Sequence, residues 1–382
     1  MVRQSSRTRS SASSRISSLR VAVCVAVSGV LVACSSKPPP DFAPDPALVN
    51  RIVEIRMHTE GEWVCPGNVV RASYDAVLDD GSIIPFSTHY DDDNPPALHV
   101  LFLRLTSPEA TARKDGGWNT DPDPLTSVMT GYRLNAFLLA KPSVNVNRVI
   151  NPDYSCSRHV FSFVGRRGKR GQGGEPGPDV TVRLNIVESP FYDRLLVAGV
   201  EVGVAPPFYV FSDAEMVQPA DWLIVESRGG PGGRGTDGAA GERGAKGADG
   251  CPAGVGGAGG RGGSGGPGGP GGPGGRALVI VSSEQPLLAG MVDTHSSGGV
   301  GGKGGNPGAG GPGGEGGRGI AAGGRRCQDG AQGPDGEDGT GGAQGPEGNP
   351  GPRAQVMTVS ADELFVDPRL QPLIDYTRSR QR

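Results

Sequence analysis

No apolar run in this 382-residue sequence reaches the roughly 20 residues that a membrane-spanning helix needs; the longest, Val21 to Ala33, has 13. Histidine is scarce, and His58, His89, His99, His159 and His295 are scattered with no spacing that sets a base beside a nucleophile. There is no C-x-x-C and no close histidine pair, so nothing has the ligand spacing of a structural metal site. Basic charge is not in excess either. The net charge is −3, and without Arg3, Arg7, Arg9, Arg15 and Arg20 the balance is 32 basic to 40 acidic, which argues against general binding to nucleic acid. A helical period of convincing length is also missing.

Glycine is what the sequence has instead, 66 residues of it with 34 prolines. Such a composition suggests disorder only when it has no period. Here glycine falls on every third position through residues 229–250, 254–275, 298–319 and 330–351, with one register broken at Pro307. Each of these four segments is 22 residues long. A three-residue period predicts a polyproline II-type helix that rises ~3.1 Å per residue and makes no internal hydrogen bonds, so its backbone groups need partners on neighbouring helices. Equal arms with two central breaks predict two hairpins of polyglycine II-type helix, at 229–275 and 298–351. The four arms hold 10, 15, 14 and 9 glycines in chain order, so the Gly-Gly-X middle arms form the packed centre and the Gly-X-X outer arms the flanks. A shorter arm, 165–177, has the same period.

The rest reads as strands and turns, and the expected fold class is all-β. Short alternating runs through 47–164, such as Arg51–Met57 and Leu98–Leu105, predict one β-sandwich-like domain, with turn chemistry at Asp79-Asp80-Gly81 and Asn94-Pro95-Pro96. A second β lobe is expected at 178–228, completed by strands within 277–294 and 354–360, with the glycine arms as its overgrown loops. The tail 361–382 carries Leu364, Phe365, Leu370, Leu373 and Ile374 and is expected to pack on that lobe. Tyr154-Ser155-Cys156 resembles the Tyr-x-Cys of immunoglobulin-like domains.

Residues 1–33 read as a signal peptide, with a basic start and a short apolar core. Leu31-Val32-Ala33-Cys34 resembles a bacterial lipobox, which implies that Cys34 is the lipidated first residue of a lipoprotein. Ser35 after it points to an outer membrane. A proline-rich tether follows at 34–46. Export to an oxidising compartment leaves Cys65, Cys156, Cys251 and Cys327 for disulfides. Three pairings exist. Location selects Cys65–Cys156 in the first lobe and Cys251–Cys327 in the two breaks between equal arms.

Gly262-Gly263-Ser264-Gly265-Gly266 matches a nucleophile elbow only by composition, because that motif needs a strand-to-helix turn. Tyr90-Asp91-Asp92-Asp93-Asn94 reads as a solvated turn rather than a Ca²⁺ loop. The candidate contacts are Arg166, Arg167, Lys169 and Arg170 on the short arm, and Arg325 and Arg326 at the second break. The glycine arms resemble those of bacterial glycine-rich and collagen-like-repeat lipoproteins. They are also similar to the Gly-Gly-X arms of arthropod antifreeze proteins and to the glycine helices of phage tail-fibre adhesins. Charges on the outer arms depart from the uncharged face of the antifreeze group. The expectation is a non-enzymatic surface lipoprotein, structural or adhesive, monomeric, without cofactor or metal, held to the membrane by its lipid and facing an envelope glycan or surface protein. A trimeric collagen-like stalk is the alternative, and a secreted enzyme is a more distant one. Cys34→Ser removes the sulfur that carries the lipid, so the variant is expected to leave the membrane fraction and to take up no labelled acyl chain. Retention of both would refute the anchor.

Overall fold

The computed structural model of the chain describes residues 38–217, 222–380 and 382. The signal segment and Cys34 lie outside the described residues. Strands far outweigh helices, at 33% against 10% of the residues. In the first lobe, β1 (Ile52–Thr59) pairs antiparallel with β2 (Ala72–Leu78). A second sheet holds β3 (Leu103–Thr106), β4 (Tyr132–Leu138) and β5 (Lys141–Pro152). Their inward faces close over Ile52, Ile55, Tyr74, Trp118, Tyr132, Leu134 and Ile150. A register shift between Ile52 and Glu54 turns Val53 outward, where it is 56% exposed. The described part of the tether is not wholly solvated, because Phe42 packs against Tyr90 and Phe102, at 4.8 and 4.9 Å between ring centroids.

The second lobe is built from one unit used three times. β6 (Val160–Val164), β10 (Leu223–Arg228) and β12 (Val292–His295) form one parallel sheet in that order. β7 (Val180–Ser189), β11 (Ala277–Ser282) and β13 (Gln355–Val359) lie parallel in the facing sheet, also in that order. Antiparallel strands β8 (Tyr192–Val202) and β9 (Phe208–Asp213) extend that sheet beyond β7. Each strand of the first sheet enters a glycine segment, and the chain returns as the matching strand of the second. The crossings are β6 to β7 through 165–177, β10 to β11 through 229–275, and β12 to β13 through 298–351. Parallel strands need a crossover of a dozen residues or more, usually a helix; here glycine segments make it. β6 was expected to end the first lobe at residue 164, but its hydrogen-bonded neighbour is β10 of the second. Between the sheets lie Val182, Leu184, Leu196, Leu223, Val225, Val279 and Val281, plugged at one end by Leu288 and Met291. The later of the strands expected within 277–294 is preceded by a 3₁₀ turn, Pro286–Met291, that delivers those two side chains.

The parallel ladders run on into the glycine segments. Val164 faces Arg228 in register, and then Gly165, Gly168 and Gly171 donate to the carbonyls of Arg228, Pro231 and Arg234 at 2.8–2.9 Å. Segment 229–250 donates in the same way to 298–319, from Gly229 to Ser297 through Gly250 to Arg318. Segment 254–275 donates on one side to 330–351, as from Gly259 to Pro334, and on the other to 229–250, as from Gly260 to Glu242. Bonds such as Gly308 to Gly263 and Gly339 to Gly308 join the remaining neighbours. Segments 254–275 and 298–319 therefore touch each other and both outer segments, as their glycine content predicts. Pro307, which breaks the period, is opposite the one additional glycine of the fourth segment, Gly341.

The outer face of the longer sheet is covered by a third cluster that joins the two lobes. Val128 and Tyr154 of the first lobe pack there with Leu195, Val197, Phe211, Leu364, Phe365, Leu370 and Leu373. The tail supplies the last four of these and ends in a helix, Gln371–Arg380, that the sequence pattern did not announce. Tyr154 thus sits at the lobe junction, its hydroxyl donating to the Pro124 carbonyl at 3.3 Å, rather than within an immunoglobulin-like sandwich.

A Cβ at Gly311 would overlap the Glu242 carbonyl, whereas one at Gly341 would meet Pro307 Cδ at 3.8 Å and the Gly305 carbonyl oxygen at 3.9 Å, both ordinary van der Waals contacts. Gly311→Ala is therefore expected to destabilise the arms by about 1–3 kcal/mol through overpacking. Gly341→Ala is expected to be neutral or stabilising by a few tenths, because it restricts the unfolded chain. Thermal unfolding and glycine amide exchange in the two variants check this, and equal behaviour would contradict the packing described.

Candidate functional site

The far end of the glycine segments is where chain breaks from the three-residue period. Cys251 and Cys327 are disulfide-bonded there, with Cα atoms 5.5 Å apart, and the backbones of Gly250 and Gly319 form a bridge beside them. This is the pairing expected from equal arm lengths. The second break then makes a two-strand hairpin in which Ala321 faces Arg326 and Ala322 faces Arg325. Gly323 and Gly324 turn it, both with positive φ (61° and 81°), as a two-residue hairpin of the primed type requires. The end surface presents Ile320, 54% exposed, Val255, 65% exposed, and the exposed Arg326. It is small, apolar and basic at its edge.

Arg166, Arg167, Lys169 and Arg170 are exposed on the short segment, and none closes an ion pair among the described residues. That segment reaches only as far as Arg234, to which Gly171 donates, so its basic cluster lies near the sheets and Arg325 and Arg326 lie at the opposite end. The two groups of cations are not brought together. Cys65 and Cys156 are bonded with Cα atoms 6.2 Å apart, and they tie the first lobe to the strand that enters the second.

Carboxylates add to the backbone bonding of segment 298–319. Asp237 and Asp249 accept from the N–H of Asn306 and Arg318, both at 2.7 Å. Asp335, Asp338 and Asp329 accept from Gly313, Gly310 and Gly319 at 2.7–2.8 Å. These amides point into grooves between segments where no carbonyl faces them. In the sequence these aspartates look like no more than charges on the flanks. Four of them, Asp237, Asp249, Asp335 and Asp338, stand third in Gly-X-Asp triplets, which is the signal the sequence offers.

The scattered histidines and the acidic turn are kept apart among the described residues. His58 lies 3.0 Å from Asp75 and faces Ser73 across the β1–β2 pair, but on an open sheet surface with no hydrogen bond from Ser73 to the ring. Asp91, Asp92 and Asp93 are exposed in a turn where Asp91 accepts from the Asp93 N–H at 3.1 Å. No group of three or more His, Cys, Asp or Glu side chains suited to a metal ion occurs among the described residues, and no described helix is long and apolar enough to cross a membrane. No family model, curated protein or solved structure matches the chain.

The backbone N–H of Asn306 holds the Asp237 carboxyl below its ordinary range, and the N–H of Arg318 does the same for Asp249. A carboxylate lowered in the folded state contributes stability above its unfolded value, and that contribution is lost as pH falls through the folded one. Exchange protection of the Asn306 and Arg318 amides is therefore expected to decline on acidification below about pH 4, the ordinary carboxylate range. In Asp237→Asn and Asp249→Asn the decline should be absent. A pH-independent wild type would show that these bonds contribute nothing.

Proposed function

We propose that the chain is a non-enzymatic surface lipoprotein of a bacterial envelope, a structural or adhesive component that holds out a rigid rod. In this reading Cys34 carries the lipid, the outer membrane is the site of attachment, and no cofactor, metal or nucleic acid takes part. The four long segments are polyglycine II-type helices, paired as two hairpins, and at 22 residues each and ~3.1 Å per residue they make a rod of roughly 65–70 Å. The disulfide-bonded end and the basic short arm are its contact surfaces, toward an envelope glycan or a surface protein.

The observation that carries this reading is the ladder of glycine N–H groups bonded to carbonyls of other segments in the same chain. A collagen-like stalk would take those partners from two further chains. Charge fits the same picture, since ion pairs such as Lys246–Asp249 and Arg261–Glu337 lie on exposed flanks and keep a flat rod soluble. Sedimentation of the full chain in detergent is the test. An elongated particle containing one chain is expected; three chains per particle would refute the reading in favour of a triple helix.

A further inference from the structure

A cleft of about 530 Å³ opens where three parts of the chain meet. The first lobe contributes Pro66 and Pro122–Pro124, the second contributes Phe161 of β6 and Phe208–Val210 of β9, and the tail contributes Arg369. Junctions of this kind are a favoured place for ligand sites. This one is braced on both sides. Cys156 of the Cys65–Cys156 disulfide forms part of its wall. Arg369 spans it, donating to Asp123 of the first lobe at 2.9 Å and to Asp367 of the tail at 2.8 Å, with its guanidinium 5.8 Å from the Tyr209 ring centre.

The lining has a definite chemistry. Phe161 and Phe208, 4.9 Å apart between centroids, are both only half-buried and give the cleft flat apolar surface. Prolines make much of the remaining wall and offer no N–H. The charged side chains are Asp123, Arg158 and Arg369, one carboxylate against two guanidinium groups. Asp123 is fully engaged, since it accepts from the Leu125 N–H and from Arg369. Arg158 donates its Nε to the Val160 carbonyl at 2.7 Å and rests 5.5 Å from the Phe161 ring centre, but closes no ion pair among the described residues. Among the described residues the cleft therefore has one cation without a counter-charge, placed beside two half-buried aromatic rings. β6 and β9 are each the edge of their sheet, so each leaves one row of backbone donors and acceptors free of strand neighbours.

We infer that this cleft binds an acidic sugar, a hexuronate residue of an envelope or host glycan. The pyranose ring would lie on Phe208 and Phe161, the carboxylate would pair with Arg158, and the hydroxyls would bond to Ser157 and to the free strand edges. A benzoate-like ligand would satisfy the rings and the arginine, but it would leave those backbone groups without partners. The inference deepens the adhesive reading and rests on it for its setting; a monomeric rod with an empty cleft would refute the inference alone.

The test is calorimetric or NMR titration of the full chain with a short oligogalacturonide, its methyl ester, a neutral oligosaccharide of equal length, and benzoate. Saturable binding of the oligogalacturonide is expected, weakened about tenfold or more by esterification, as befits loss of a charge-assisted bond. Arg158→Gln should weaken it to the same degree, and Arg158→Lys should weaken it less. Arg158 is exposed and outside the core, so these variants fold; Phe208→Ala, checked for folding by its melting curve, should also lose affinity. Absence of saturable binding, equal binding of acid and ester, tighter binding of benzoate, or an unchanged Arg158→Gln would each overturn the inference.

Discussion

A glycine segment with no internal hydrogen bond must find an acceptor outside itself for every buried N–H, and the architecture follows from that need. The acceptors are carbonyls of neighbouring segments, reached only because no Cβ stands between them; at Gly229, Gly259 or Gly308 an added carbon would fall on the opposing backbone. Each such bond contributes a net ~0.5–1.5 kcal/mol, and leaving the same group buried and unpaired would cost more. The bundle is therefore held by satisfaction of its backbone rather than by apolar burial. Five amides that face no carbonyl, those of Asn306, Gly310, Gly313, Arg318 and Gly319, are met by aspartate side chains.

Those bonds require the segments to start in register, and the parallel sheets provide it. β10 and β12 pair with Leu223 opposite Val292, and the same two strands continue as the segments in which Gly229 donates to Ser297. On the returning side, Gly274 donates to Asn349 just before β11 and β13 pair with Leu278 opposite Gln355. The sandwich core, with Leu184 and Val281 fully buried, thus fixes the height of each glycine segment at its base. At the other end the Cys251–Cys327 bond fixes the height again. A register slip of three residues would preserve the glycine pattern, so both clamps are needed to choose among otherwise similar alignments.

Much of this was legible in the sequence because the three-residue period is strict. Segment lengths and central against flanking segments follow from counting, and both cysteine pairs from where the cysteines stand in the chain. What was not legible depended on partners distant in the chain. Val160–Val164 alternates like any edge strand, and nothing local shows that it pairs with Leu223–Arg228 across an intervening hairpin. Lys141–Pro152, a 12-residue strand, is hidden because apolar Val149 stands on the outward face with Asn145 and Asn147, while Arg148 interrupts the inward row, half-buried and donating to the Met57 carbonyl at 3.3 Å. The tail helix has few apolar residues and a weak stripe; its position is set by Leu370 and Leu373 packing on a sheet that forms elsewhere. The cleft between the lobes was beyond reach for the same reason, since its walls come from residues as far apart as Pro66 and Arg369.

The junction at that cleft also explains why the first lobe and the tail belong to the same molecule as the glycine segments. A two-sheet sandwich with one face covered only by solvent would leave Leu195, Val197, Phe211 and Ile280 exposed. At roughly 25 cal/mol per Å² of apolar surface, covering four such side chains is worth several kcal/mol. The tail covers part of that face and Val128 and Tyr154 cover the rest, with Thr377 accepting the Glu188 N–H at 2.9 Å. Neither cover suffices alone, so both outlying parts of the chain are held against the sheet from which the glycine segments grow.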